Sequence, residues 1–499
     1  MKSVQTRETL ANEIWRACDI LRRDNNCGGI MEYIEHLSWL LFLRFLDAQE
    51  EEWETQAQLA GRPYTRILDE DLRWSEWATK DWPADRLLEF VHGRLIPYLQ
   101  SLGGDPLRET IRSVFAERNV IVCASGYNLK EVLTIIDGID FHSQDDIFTV
   151  SHIYESLLFR MGRENTDAGQ FYTPRPVVRF MVEVVDPKIG ETVYDPACGT
   201  CGFLAQSYLW MKQYERTLED HRTLQERTFF GQEKKSIPAL LGLMNMVLHG
   251  VTAPRVVRRN TLEENIRQVT ERYDVILTNP PFGGVEGRHI QANFPVPSSA
   301  TELLFLQHIM KKLKPRDGAR CGMVVPEGTL FRGGAFAEVK RDLLEQFNLH
   351  TVVSLPPGTF APSDVKTALI FFERPGPTRE VWYYELPLPE GLKKFSKGNP
   401  IQDEHFKEAR ELYKAWDAYR KGQGPREACL SERSWIVPVE EIKARGYDLT
   451  ARNPNRKETE ALPAPIEILA SLLEQEREIL SILEELDMML SNANGEGEA

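Results

Sequence analysis

The chain has 499 residues, carries 75 acidic against 60 basic side chains for a formal charge of −15, and is 42% hydrophobic and 27% charged. That length suits about two to four domains with a substantial core, and the composition excludes collagen, a wholly disordered polymer and a membrane bundle. The longest apolar run, Leu37 to Leu46, contains Arg44 and falls far short of the roughly 20 residues that a bilayer span needs.

No apolar signal core follows Met1, so a cytoplasmic protein is expected. The seven cysteines are an odd number spread over a long chain, which predicts reduced thiols rather than a disulfide framework. The ten histidines show no ligand spacing, and Cys198-x-x-Cys201 has no second pair to complete a zinc site, so no metal is expected.

In chain order, residues 1–145 read as a helical domain. Glu32 to Trp53 carries apolar residues at Ile34, Leu37, Leu40, Leu41, Leu43 and Phe45, followed by a charged stretch from Asp47 to Glu54 that is expected to be solvated. Further helices are predicted over Asp85 to Leu102 and Asp105 to Phe115. From 146 to 455 short β-rich runs alternate with helical ones: Thr192 to Tyr194, Thr228 to Phe230, Tyr273 to Leu277, Cys321 to Val325, His350 to Leu355 and Thr367 to Phe372 are the strands. Phe203 to Gln213 and Ile237 to Leu248 are two of the intervening helices. This alternation predicts an α/β fold around a mainly parallel sheet, with ligands beyond the carboxyl ends of the strands. Past Pro375 the signal weakens to a helix over Asp403 to Lys421 and a Trp435 to Ile442 run.

Residues 456–499 form a third segment. They hold 3 basic and 11 acidic residues, a net of −8, so the other 455 carry only −7. Leu469, Leu472, Ile479, Leu483, Leu486 and Leu490 fall on a 3-4 spacing, which predicts a coiled-coil-like helix, docked on a partner or on its own domain. Strong acidity opposes unaided binding to nucleic acid.

The chemistry lies at the strand ends. After Thr192 to Tyr194 comes Asp195-Pro196-Ala197-Cys198-Gly199-Thr200-Cys201-Gly202, a glycine-bearing turn into a helix, which brings backbone N–H groups and a positive helix end to a ligand. The dinucleotide pattern G-x-G-x-x-G is missing. Glu233, at the end of the second of these strands, can accept both ribose hydroxyls of an adenosine, and Asp195 can neutralise a cationic amino-acid group. Those roles fit S-adenosylmethionine better than a pyrophosphate cofactor.

The run Tyr273 to Thr278 then enters Asn279-Pro280-Pro281-Phe282. Consecutive prolines cannot extend a central strand, so Asn279 sits at a rigid strand end. Its side chain and the Pro280 carbonyl form a pair of acceptors for a planar NH2 group, drawing the nitrogen lone pair out of conjugation for in-line attack on a methyl. Phe282 offers a stacking face for a base. Arg255, Arg258 and Arg259 read as a solvated loop or as phosphate contacts, and Phe360 as core or as a second face of a base pocket.

Asp195 to Phe203 and Asn279 to Phe282 resemble motifs I and IV of the amino-methyltransferases, in the cofactor-first order of the gamma class. Asn at the first position and Phe at the last resemble N6-adenine rather than N4-cytosine enzymes. Gly169-Gln170-Phe171-Tyr172-Thr173-Pro174-Arg175-Pro176 resembles the motif that closes over the cofactor in type I restriction-modification methylase subunits (HsdM). Gly231-Gln232-Glu233, Thr261-Leu262, Val325 to Gly328 and Leu355 to Thr367 match that family too, and the likeness runs from about residue 8 to 450.

The resemblance implies a Rossmann-like S-adenosylmethionine-dependent methyltransferase domain beside the helical N-terminal domain. It implies cofactor contacts from Gln170, Phe171, Tyr172, Thr173, Pro174 and Arg175, from Asp195, Ala197, Gly199, Thr200, Cys201 and Gly202, and from Glu233, with Asn279, Pro280, Pro281 and Phe282 holding a flipped adenine. Asn260 departs from the family's usual Asp before Thr-Leu, and as an amide it offers the cofactor's adenine a different donor and acceptor pattern. The implied partners are DNA, a separate specificity subunit, a second methylase subunit in an M2S1 complex, and the restriction subunit. Two other readings stay open: a solitary enzyme with the same amine chemistry, on DNA or on peptide glutamine, and a noncatalytic assembly subunit that has kept the fold.

Overall fold

The apolar stripe predicted from Glu32 forms the middle of the helix Ile30–Leu59, where every residue from Tyr33 to Leu43 is buried. The charged stretch that follows is not solvated throughout, as its pattern predicted. Asp47 and Glu50 are buried, and the Glu50 carboxylate accepts hydrogen bonds from the Leu68 N–H (3.0 Å) and the Tyr64 hydroxyl (3.2 Å). It satisfies loop backbone that the helix covers. The structure is a computed structural model that describes residues 7–116, 122–142, 144–164, 172–251, 254–360, 365–396, 398–455 and 476. The chain divides into two units, Met1–Arg452 and Asn453–Ala499. The predicted acidic helix of 456–499, apart from position 476, lies outside the described residues.

Nine strands form one sheet: β1 (Val193–Asp195), β2 (Phe229–Glu233), β3 (Arg255–Arg258), β4 (Val275–Thr278), β5 (Arg320–Pro326), β6 (Asn348–Ser354), β7 (Thr367–Glu373), β8 (Glu380–Glu385) and β9 (Ser434–Pro438). Their order is β3-β2-β1-β4-β5-β7-β6-β8-β9. From β3 through β5 all neighbours are parallel, as the alternation predicts. β7 runs antiparallel between β5 and β6, β8 lies parallel to β6, and β9 closes the far edge antiparallel to β8. The sheet is therefore mixed. β3 falls where the sequence reads as a solvated loop or as phosphate contacts. Its Arg-Val-Val-Arg sequence makes a charged edge strand that discourages pairing with another chain. The Trp435 to Ile442 run splits at Pro438 into β9 and the helix Val439–Ala444.

The helical layer extends beyond residue 145. Val150, Tyr154, Leu157 and Met161, on the helix Gln144–Glu164, join a core that starts at Leu10 and also takes in Ala239, Leu240, Leu241, Leu243, Met244, Val247 and Leu248. The helix Ser236–Leu248 is apolar around its circumference, and Pro238 to Leu248 are all buried. A helix of that pattern needs cover on every face. The sheet side supplies part of it and the N-terminal helices the rest. Tyr154 links the layers: its hydroxyl meets the Ser38 hydroxyl at 2.8 Å and donates to the Leu241 carbonyl at 3.4 Å.

Candidate active site

β1 has β2 on one side and β4 on the other, so the chain leaves its end in opposite directions and a crevice opens there. A cavity of about 320 Å³ fills the crevice, walled by Asp195 from the end of β1, Glu233 from the end of β2 and Asn279 just past β4. Ala197, Gly199, Thr200 and Gly202 line it as well, with Thr173, Arg175, Asn260 and Pro281. Three strand ends and the turn before the helix Gly202–Lys212 thus converge on one space.

The turn is shaped by backbone that few residues tolerate. Gly199 and Cys201 both have positive φ, 49° and 57°, which bends the chain sharply enough for the helix to start at Gly202. Behind it, a Cβ on Gly242 would lie 2.6 Å from the Cys201 sulfur and 2.8 Å from the Gly199 carbonyl oxygen. Only glycine lets the buried helix come this close. Asn245, one turn on, donates to the Thr200 carbonyl at 2.8 Å. The left-handed backbone at Cys201 turns its thiol into this packing, and Cys201 does not line the cavity, whereas Cys198 does.

The carboxylates sit in an unusual electrostatic setting. Asp195 is 1% exposed, and burial, with the nearby Glu233 charge, pushes its carboxyl up to about 7 against the pull of the Ala197 N–H at 3.1 Å. Burial raises Glu233 too, although it accepts from the backbone N–H groups of Lys235 (2.9 Å) and Gly199 (3.0 Å). Two desolvated carboxyls in one small space are a receptor for positive charge.

The upstream segment closes one wall. Arg175 grips Glu155 of the helix Gln144–Glu164 through two hydrogen bonds of 2.8 and 2.7 Å. Burial alone would raise Glu155, but the guanidinium holds it below the usual carboxylate range. A Cβ at Gly202 would strike Arg175 Nη1 at 1.9 Å, so glycine is required for the arginine to cross the helix start. Tyr172 and Pro174 face a separate cleft, together with Phe360. Gln170 and Phe171 lie outside the described residues.

Asn279 donates from Nδ2 to the Thr173 hydroxyl at 3.1 Å. Its Oδ1 is buried and has no hydrogen-bond partner. Unmet acceptors of this kind are uncommon in folded proteins and call for an explanation. Pro280 is buried, Pro281 exposed and Phe282 half-buried. Phe282 meets Phe360 edge to face, 5.9 Å between centroids. The arginines in and after β3 are split: Arg255 lies over the Phe230 ring at 5.2 Å, whereas Arg259, just past the strand, lines the cavity. Asn260 caps the short turn Thr261–Glu263, accepting from the Leu262 N–H at 3.3 Å and donating to Glu263 Oε1 at 3.2 Å.

Sequence reasoning overlooked Lys234, Lys235, Thr301 and Phe305 as cavity residues. The two lysines follow Glu233 directly and were open to inference. Thr301 starts the distant helix Thr301–Lys312, and its hydroxyl is buried without a partner. Nothing in its neighbourhood in the sequence marks it.

Comparison with known proteins places this geometry. The sequence profile of the N-6 DNA Methylase family matches residues 143–461, and that of the HsdM N-terminal domain matches residues 10–136. The type I restriction enzyme EcoEI methylase subunit of Escherichia coli is 38% identical over 486 residues, covering 95% of this chain and 96% of that one. The EcoKI methylase subunit of Escherichia coli K12 is 29% identical, covering 87% and 80%. Among solved structures, a chain from work on complex assembly and conformational transition of the type I R-M system is 81% identical, with a TM-score of 0.85 over 98% of this chain and 99% of that one. A modification subunit from Vibrio vulnificus YJ016 is 39% identical, with a TM-score of 0.76 over 90% and 98%. A helical region continuous with a strand-end cavity, an Asn-Pro-Pro-Phe rim and matches over nearly the whole length agree, and the chain belongs to the N6-adenine DNA methylase subunits of type I restriction-modification systems.

Proposed function

We propose that the cavity holds S-adenosylmethionine, with Asp195 and Glu233 as its charged walls, and that Asn279 to Phe282 hold an adenine turned out of duplex DNA. The observation that carries this reading is the buried, unpartnered Asn279 Oδ1 on the cavity rim. When bound, the cofactor supplies a methyl group on a sulfonium. The chain's own part is to orient the amine. Asn279 Oδ1 and the Pro280 carbonyl accept its two N–H groups, the Thr173 hydroxyl fixes the amide's rotation, and Phe282 stacks on the ring. An adenine paired in the helix cannot offer its N6 to these acceptors, so extrusion of the base is required.

As the modification subunit, the chain works in an assembly. We assign sequence readout and much of the hold on DNA to a specificity subunit, because a formal charge of −15 opposes unaided binding to phosphates. Two copies of this chain then serve the two strands of one site, in an M2S1 complex that the restriction subunit joins, in the cytoplasm. Among the described residues no helix is long and apolar enough to cross a membrane. The test is to purify the chain alone and with its specificity subunit and assay N6-methyladenine in duplex DNA. The complex is expected to methylate and the lone chain only to bind cofactor; efficient methylation by the lone chain favours a solitary enzyme.

A pH dependence follows from Asp195. Its folded value of about 7 lies above the ordinary 3.8, so protonation stabilises the unliganded fold, and that contribution is lost as pH rises from about 4 through 7. A cationic ligand reverses the preference and must expel the proton. Cofactor affinity is expected to rise by up to about tenfold per pH unit below 7 and to level above it. Calorimetry between pH 5.5 and 8 in buffers of different ionisation enthalpy checks this, and Asp195→Asn should flatten the slope. An equally steep slope in that variant would remove the assignment to Asp195.

A further inference from the structure

Far from the cavity, the helical domain brings together three side chains that the sequence keeps apart. Cys27 lies in the turn between the helices Arg7–Arg22 and Ile30–Leu59, His36 on the second of these, and Cys123 in the segment before the helix Gly126–Asp137. One donor atom from each lies within 4.8 Å of the others, and all three residues are buried. His36 is 0% exposed, and neither of its ring nitrogens has a hydrogen-bond partner. A buried imidazole with both nitrogens unmet is costly, so the packing alone does not account for it.

We infer that Cys27, His36 and Cys123 form a structural binding site for a thiophilic divalent cation, Zn²⁺, within the helical domain. Bond lengths of about 2.3 Å to sulfur and 2.0–2.1 Å to nitrogen place tetrahedral donors roughly 3.5–3.8 Å apart. The three atoms need close by no more than about 1.3 Å to reach that geometry. Two thiolates offset both charges of the cation, so the filled site is neutral, which is what an apolar interior demands.

The surroundings fix the ligands in advance. Asp24 accepts from the N–H groups of Asn26 (3.0 Å), Ala124 (2.7 Å) and Ser125 (3.0 Å) and from Asn128 Nδ2 (2.9 Å). It thereby ties the Cys27 turn to the Cys123 segment while its own oxygens are taken up. Three protein donors are the number used by zinc sites that keep one further position for another ligand. A Cys27–Cys123 disulfide would leave His36 unmet, whereas the cation engages it. The ion would pin a turn, a helix and a loop, adding to the hydrogen bonds that Asp24 already makes between the turn and the loop, a stabilising role independent of the methyl-transfer site.

The test uses the full chain purified under reducing conditions without chelators. Elemental analysis is expected to give about one zinc per chain, as a filled site requires. Replacement by Co²⁺ should produce a near-ultraviolet thiolate-to-cobalt band, lost in Cys27→Ser and in Cys123→Ser. If those variants fail to fold, the wild-type chain still decides: removing the metal should lower its melting temperature, and returning Zn²⁺ should restore it. Folded wild-type protein that carries no zinc and gives no cobalt band overturns the site. So does a Cys27–Cys123 disulfide in protein alkylated at lysis, or a cobalt band that persists in Cys27→Ser.

Discussion

Asn279→Ala is expected to lower the rate constant for methyl transfer by about 10³-fold or more while leaving cofactor affinity within about threefold. The variant removes the Oδ1 acceptor and nothing that supports the cavity floor. In the free protein that atom is already unmet, so the unliganded fold loses only the Nδ2 bond to Thr173. With adenine bound, the loss weighs most on the transition state, where the amine nitrogen gains positive charge and its N–H groups become stronger donors than in the ground state. Single-turnover methylation by the complex with the specificity subunit separates this step from DNA binding and product release. Activity within tenfold of the parent would exclude Asn279 as the group that activates the amine.

Glu155→Ala carries the second large effect, on stability and on the cofactor site together. The Arg175–Glu155 pair retains 15% and 24% side-chain exposure. Breaking a fully buried pair costs about 3–5 kcal/mol, and with the remaining solvent contact we expect about 2–4 kcal/mol. Arg175 would be left charged beside the Gly202 helix start, where the backbone already presents positive potential. The Thr173 end of the same segment holds Asn279, so loss of the anchor should also weaken cofactor binding and slow transfer. Denaturant midpoints for Glu155→Ala, Arg175→Ala and the double variant form the check. The double variant should be less destabilised than the sum of the two single ones. Additive losses would mean that the two side chains act independently.

Much of the site could be read from the chain because it is local. Asp195 to Gly202 and Asn279 to Phe282 are continuous segments, each placed by the strand before it, so strand detection alone located them. What the chain does not disclose on its own is what a tertiary neighbour decides. Cys201 sits inside the motif, yet its direction depends on a left-handed backbone and on the absence of a side chain at Gly242, 41 positions on. Glu50 reads as solvent-facing until the loop that needs its oxygens is packed over it. β3 has four residues, and Val257 is exposed, so too little alternation was present to distinguish an edge strand from a basic loop. Cys27 and Cys123 lie 96 residues apart, beyond any spacing rule for ligands.

The helix Ser236–Leu248 has a consequence for how the protein can come apart. One of its faces receives Tyr154 from the helical layer, and another presses on the turn at Gly199 to Cys201 through Gly242 and Asn245. Neither neighbour can leave without wetting an element that has no polar side to turn outward. The helical region is accordingly not a detachable accessory. It is part of the wall behind the strand-end cavity, and the two should melt as one cooperative body.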